Sequence, residues 1–167
     1  DIVLYDRYTE DREEICARLA EEHGLTLIPP FDHDDVIAGA GTTALELFED
    51  TADGGPLDVL VVCLGGGGLI SGCATVARAI APDTRVVGVE PLARDIVARS
   101  LAAGSVVSTG VPATIADGQQ GDRLGERTLA VIAARVDEVV LVSDDDIRAA
   151  MRVLFDRLKQ VVEPSGA

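Results

Sequence analysis

Four consecutive glycines, Gly65–Gly68, stand between an apolar run, Leu57–Leu64 broken only by Asp58, and an apolar-periodic segment opening with Leu69 and Ile70. The run suits a parallel strand buried on both faces, and the segment after it suits a helix. Strand, glycine turn and helix together offer an anion bare backbone N–H groups and the positive end of a helix. Each glycine carries a backbone-entropy cost, so four in a row argue for phosphate binding over a bare tight turn. Two acids are further candidates. Glu90 ends a second apolar run, Arg85–Glu90, and Asp117 stands next to Gly118 in the loop Thr114–Gly118.

Three kinds of glycine loop compete. A triphosphate-binding loop ends in Gly-Lys-Ser/Thr, and Leu69-Ile70-Ser71 supplies no lysine. The dinucleotide fingerprint G-x-G-x-x-G would need its third glycine at Ile70 or Ser71, yet Glu90 stands about where a ribose-binding acid would. An NAD-type reading therefore stays open beside the third kind, a compact cup for one phosphomonoester.

The other chemically capable residues have plainer readings. His23 suits a partner for the C-terminal dipole of its helix. His33, in Phe31-Asp32-His33-Asp34-Asp35, lacks the glycine and glutamate placement of a calcium loop, and a solvated turn is the expectation. Cys16, Cys63 and Cys73 lack metal-ligand spacing and read as reduced core thiols of a cytoplasmic protein. The net charge of −15 over 167 residues argues against nucleic acid or an acidic membrane as partner. No apolar run approaches a membrane span, and 47% hydrophobic with 26% charged residues suits a soluble globular chain.

Around the glycine run, strands are expected at Ile2–Tyr5, Leu25–Ile28, Leu57–Leu64, Arg85–Glu90 and Glu138–Val142. Helices are expected at Asp11–Glu22, Val36–Glu49, Leu69–Ile80, Ala93–Ala103, Glu126–Ala134 and Asp144–Gln160. Asp11 with Glu14, and Ser143 with Asp146, have capping-box spacing, and Gly24 suits a helix stop. Ile147, Met151, Leu154 and Leu158 share one face of the last helix and are expected in the core. Alternating strands and helices mean an α/β fold with a parallel sheet. Both ends read as cut, as in an excerpt of a longer polypeptide.

Five segments together resemble one family: FDHDDVIAGAGT ending at Thr42, LGGGGL ending at Leu69, GVEP ending at Pro91, TIADG ending at Gly118 and EPSGA ending at Ala167. In this order they are similar to the fold-type II pyridoxal-phosphate enzymes, in the branch of serine/threonine dehydratases, serine racemases and threo-3-hydroxyaspartate dehydratases. The resemblance implies a three-layer α/β fold like that of tryptophan synthase β. Residues 1–38 would close the small domain, and 39–167 would form most of the large cofactor-binding domain. Gly65, Gly66, Gly67 and Gly68 would hold the phosphate of pyridoxal phosphate, with Leu69 opening the helix. Gly118 and Glu163 would lie beside the cofactor, and Asp117 at the substrate rim. The implied protein is a homodimeric ammonia-lyase that deaminates L-threonine or L-serine to 2-oxo acids. Racemisation, dehydration of threo-3-hydroxyaspartate and a non-catalytic phosphate-binding module are the alternatives.

The racemase branch also implies a Mg2+ or similar cation site. It would start at Glu90, with the carbonyl of Arg94 and a carboxylate two residues beyond, where this chain has Ile96. A nucleotide site matching Tyr5 and Lys159 is implied as well. Ala40 and Asp35 depart from the family's usual Gln and Pro. The family's Schiff-base lysine lies in a Ser-x-Lys-x-Arg motif, and the single lysine here, Lys159, is in RLKQVVEP. No catalytic nucleophile or base is therefore expected within these residues, and the chain alone is expected to bind phosphate weakly without turnover.

Overall fold

A computed structural model describes residues 2–167. Three parallel strands, β1 (Val59–Cys63), β2 (Arg85–Pro91) and β3 (Glu138–Val142), lie in that order in one sheet. Val59 pairs with Arg85 and Cys63 with Val89, while Val87 pairs with Glu138 and Pro91 with Val142. Leu60, Val62 and Val86 point into the core with Ile70, Ala74, Ala77 and Ile132. Val59 and Val61, alternating with them, are 44% and 62% exposed, so β1 has one covered face and not the two expected of its continuous apolar run.

Helices α1 (Arg12–His23), α2 (Asp34–Thr51), α3 (Gly68–Ile80), α4 (Ile96–Ala103), α5 (Glu126–Arg135) and α6 (Asp144–Val153) complete the fold. Asp11 caps α1 by accepting from the amides of Glu13 and Glu14, and Gly24 ends it with φ +64°. The Ser143–Asp146 capping box closes reciprocally at the start of α6. Gly72 lets α2 and α3 touch backbone to backbone. A Cβ there would come within 2.4 Å of Gly41 N and Ile37 O. That contact seats α3, and with it the glycine run at its N-terminus.

Several expectations are corrected. Ile2–Tyr5 and Leu25–Ile28 are not strands, and Ile2 and Leu4 are 89% exposed. Apolar β-branched composition favours a strand, but the ladder needs a hydrogen-bonded neighbour, and none pairs with these segments among the described residues. The last helix stops at Val153 and gives way to a π-turn, Leu154–Leu158, closed by Lys159 at φ +59°. Of the four residues expected in the core only Ile147 is buried; Met151 and Leu154 are half-buried, and Leu158, beyond the wider turn that breaks the 3.6-residue phase, is 61% exposed. A short 3-10 turn, Leu92–Arg94, delays the expected Ala93 helix start to Ile96.

The acidic segment is solvated as expected at His33, Asp34 and Asp35, but it also opens α2 and reaches across to α5. His33 Nδ1 caps α2 by accepting from Asp35 N at 3.2 Å. Asp32 Oδ1 accepts from Arg127 N and Thr128 N, capping α5 across the fold. Among the described residues no helix is long and apolar enough to cross a membrane.

Candidate functional site

The glycine run lies at the floor of a cleft of about 1070 Å³. Gly66, Gly67 and Gly68 leave no room for a side chain, and Gly65 leaves little. A Cβ on Gly66 would stand 2.3 Å from the Phe31 ring, and one on Gly68 2.9 Å from Phe31 Cβ. A Cβ on Gly65 would approach Gly118 O at 3.3 Å. Gly67 combines φ +93° with Thr128 Cβ at 2.8 Å from an added methyl, so no L side chain is accommodated. Gly67 is also the N-cap of α3 and, lacking a side chain, leaves the first-turn amides uncapped. Bare amides at the positive end of a 13-residue helix are what an anion takes.

Thr128 fastens this cup from α5. Its fully buried hydroxyl donates to Gly66 O at 2.8 Å and accepts from Gly125 N at 3.0 Å. Ser71 Oγ, on α3, reaches Thr128 O at 3.5 Å. The Thr114–Gly118 loop is held from the other side by α6. Asp144 accepts from Thr114 Oγ1 at 2.6 Å and from Ile115 N at 3.1 Å. Gly118 N then donates to Ser165 Oγ at 2.9 Å, and Glu163 Oε1 lies 3.6 Å from the Cβ position of Gly118.

Gly65–Gly68, Leu69, Asp117, Gly118 and Glu163 therefore all line one cleft. Asp117 is exposed there and pairs with Arg7 Nη1 at 3.1 Å. Cys63 lines the cleft too. Burial pushes its thiol up, a backbone hydrogen bond opposes this, and the Glu163 carboxylate adds to the rise, so it is a poor nucleophile.

Tyr5 lines the cleft, whereas Lys159 lies elsewhere, at the end of the π-turn, with Nζ donating to Asp156 O at 2.8 Å. Glu90 and Arg94 are buried against each other behind the rim. Burial raises the Glu90 carboxyl to about 7 against the opposing pull of Arg94.

Sequence reasoning misses Thr128, Ser165, Asp144 and Phe31 as parts of the site. Ser165 shares the EPSGA segment with Glu163, and that proximity is a signal that could have found it. Thr128 lies 62 residues from the carbonyl it holds, and nothing local marks it.

A glycine floor and uncapped helix amides suit a small phosphorylated ligand. The chain belongs to the family described as "Pyridoxal-phosphate dependent enzyme", matched over residues 1–167, and pyridoxal phosphate is that family's cofactor. L-threo-3-hydroxyaspartate ammonia-lyase of Pseudomonas sp is 52% identical over 99% of this chain and 51% of its own length. Maize serine racemase superposes with a TM-score of 0.90 at 40% identity, over 99% of this chain and 49% of that one. A threonine deaminase from T.th. superposes with a TM-score of 0.89 at 45% identity, over 93% of this chain and 53% of that one. The chain spans about half the length of the relatives it matches. The α/β fold with its parallel sheet is thus that of the fold-type II pyridoxal-phosphate enzymes.

Proposed function

We propose that this chain forms the phosphate-holding part of an ammonia-lyase that converts a small β-hydroxy amino acid into a 2-oxo acid and ammonia. The observation that carries it is the glycine cup at the start of α3, closed by Gly118 and Glu163 in one cleft. Gly65–Gly68 and Leu69 would bind the cofactor phosphate through backbone amides, with Thr128 holding the cup in shape. Gly118, Glu163 and Ser165 would orient the cofactor ring, and Asp117 would sit at the substrate side. When bound, pyridoxal phosphate supplies an electron sink for the carbanion at Cα. The base that takes the Cα proton is not assigned to any residue of this chain, because Lys159 stands away from the cleft. We further assign residues 1–38 to a smaller domain and 39–167 to a larger one, in a cytoplasmic homodimer.

L-threonine and L-serine are the substrates the motifs imply. A specific observation also favours 3-hydroxyaspartate. Arg7 and Arg123 line the cleft already paired with Asp117 and Glu13, so among the described residues Arg12 is the counter-charge a second substrate carboxylate would meet there. Assaying the complete polypeptide for 2-oxo acid from L-threonine, L-serine and L-threo-3-hydroxyaspartate, and for D-serine, ranks these readings by kcat/KM. Absence of 2-oxo acid and of D-serine with every substrate would overturn the enzymatic reading in favour of a non-catalytic module.

A further inference from the structure

Behind the rim of the cleft, at the C-terminal end of β2, Glu90 and Arg94 are both 0% exposed. Arg94 Nη1 donates to Glu90 Oε1, and Val97 N donates to both carboxylate oxygens, at 3.3 and 3.2 Å. The rest of the guanidinium turns to the rim. Its Nε donates to Gly121 O at 2.9 Å, and Nη2 lies 3.5 Å from Arg123 O. One cation thus gathers a carboxylate oxygen and two backbone carbonyl oxygens from separate stretches of chain, which is the oxygen set a hard divalent ion collects.

The family resemblance implies such an ion here, and the residues do not fit it. Where a second carboxylate is needed stands Ile96, 0% exposed in the apolar core. The neighbouring acid, Asp95, turns instead to Arg99 Nε at 2.9 Å. Among the described residues no three His, Cys, Asp or Glu side chains converge as a metal site requires. We propose that the Arg94 guanidinium is a built-in replacement for the divalent cation, tying the Gly121–Arg123 rim to the end of β2 through Glu90. A planar fork meets several oxygens at fixed angles, and a covalently attached charge is not lost to a chelator.

The test uses this chain at about pH 8, where a carboxyl titrating near neutrality is ionised. Thermal melts are recorded in EDTA and in millimolar Mn2+, with Mn2+ binding followed by electron paramagnetic resonance, for the wild type and Glu90→Gln. The wild type should melt at the same temperature in both media and show no Mn2+ site that Glu90→Gln removes. A melting shift common to both proteins arises on the acidic surface and leaves the proposal standing. Mn2+ stabilisation of the wild type that disappears in Glu90→Gln overturns it. Arg94→Lys keeps the charge but not the fork, and should raise amide exchange of Gly121–Arg123 at least ~10-fold more than that of the core strands. Equal exchange in rim and core would overturn the positioning role. The cation titration of the wild type decides the replacement claim even where Arg94→Lys does not fold.

Discussion

Gly67 carries the strictest local demand in the cup, because a positive φ and a close neighbour coincide there. Gly67→Ala should lower stability by about 1–3 kcal/mol through strain and overpacking. It should also weaken pyridoxal phosphate binding by about tenfold or more by displacing the first-turn amides, as expected for a lost charge-assisted contact. Urea melts and absorbance titrations report the two effects separately. Glu90 makes a pH prediction. Its carboxyl titrates at about 7 when folded against 4.5 for the ordinary group, so between those values the native state binds more protons than the unfolded chain. Glu90's contribution to stability is therefore full at the acid end of that window and is lost as pH rises through it, by up to about 3 kcal/mol. Glu90→Gln does not titrate, so the stability of the wild type relative to this variant should fall from about pH 5 to about pH 8. A constant or rising difference would contradict the burial argument.

Helix α5 holds the cup in shape without lining the cleft. Its first turn is capped from outside by Asp32, and its Thr128 hydroxyl bridges Gly66 O and Gly125 N. Thr128→Val keeps the shape and removes both bonds in a buried place, which should cost about 1–3 kcal/mol. Asp32→Ala removes a cap and should cost about 1 kcal/mol. An unchanged denaturation midpoint in both variants would show that the cup is held by packing alone. These contacts mark the boundary of what was legible beforehand. The glycine run, β2, β3 and the capped starts of α1 and α6 show because their determinants are adjacent in sequence: consecutive glycines, continuous apolar runs, and caps three residues from their partners. Thr128 to Gly66 and Asp32 to Arg127 are tertiary bonds between residues that nothing local links. The apolar run Leu25–Ile28 misleads because a strand is made by its neighbour, and the periodicity of α6 misleads because one π-turn changes the phase.

At the scale of the molecule, a net charge of −15 opposes any phosphate approaching the cleft, while the helix end attracts it only at contact. Added salt screens the long-range repulsion more than the short-range attraction. The association rate of pyridoxal phosphate should therefore rise, by about two- to tenfold from low to physiological ionic strength. A fall with salt, read by stopped-flow absorbance, would instead show that Arg7, Arg12 and Arg123 dominate the field at the cleft mouth.

Phosphate held by Gly65–Gly68 and the start of α3, as proposed, is tested by a backbone amide titration of this chain with pyridoxal phosphate and, separately, with NADH. Shifts concentrated at Gly65–Leu69 with pyridoxal phosphate, reproduced by inorganic phosphate at higher concentration and absent with NADH, are the predicted result. Shifts at these amides with NADH alone, or pyridoxal phosphate shifts confined to residues outside the cleft, would contradict it.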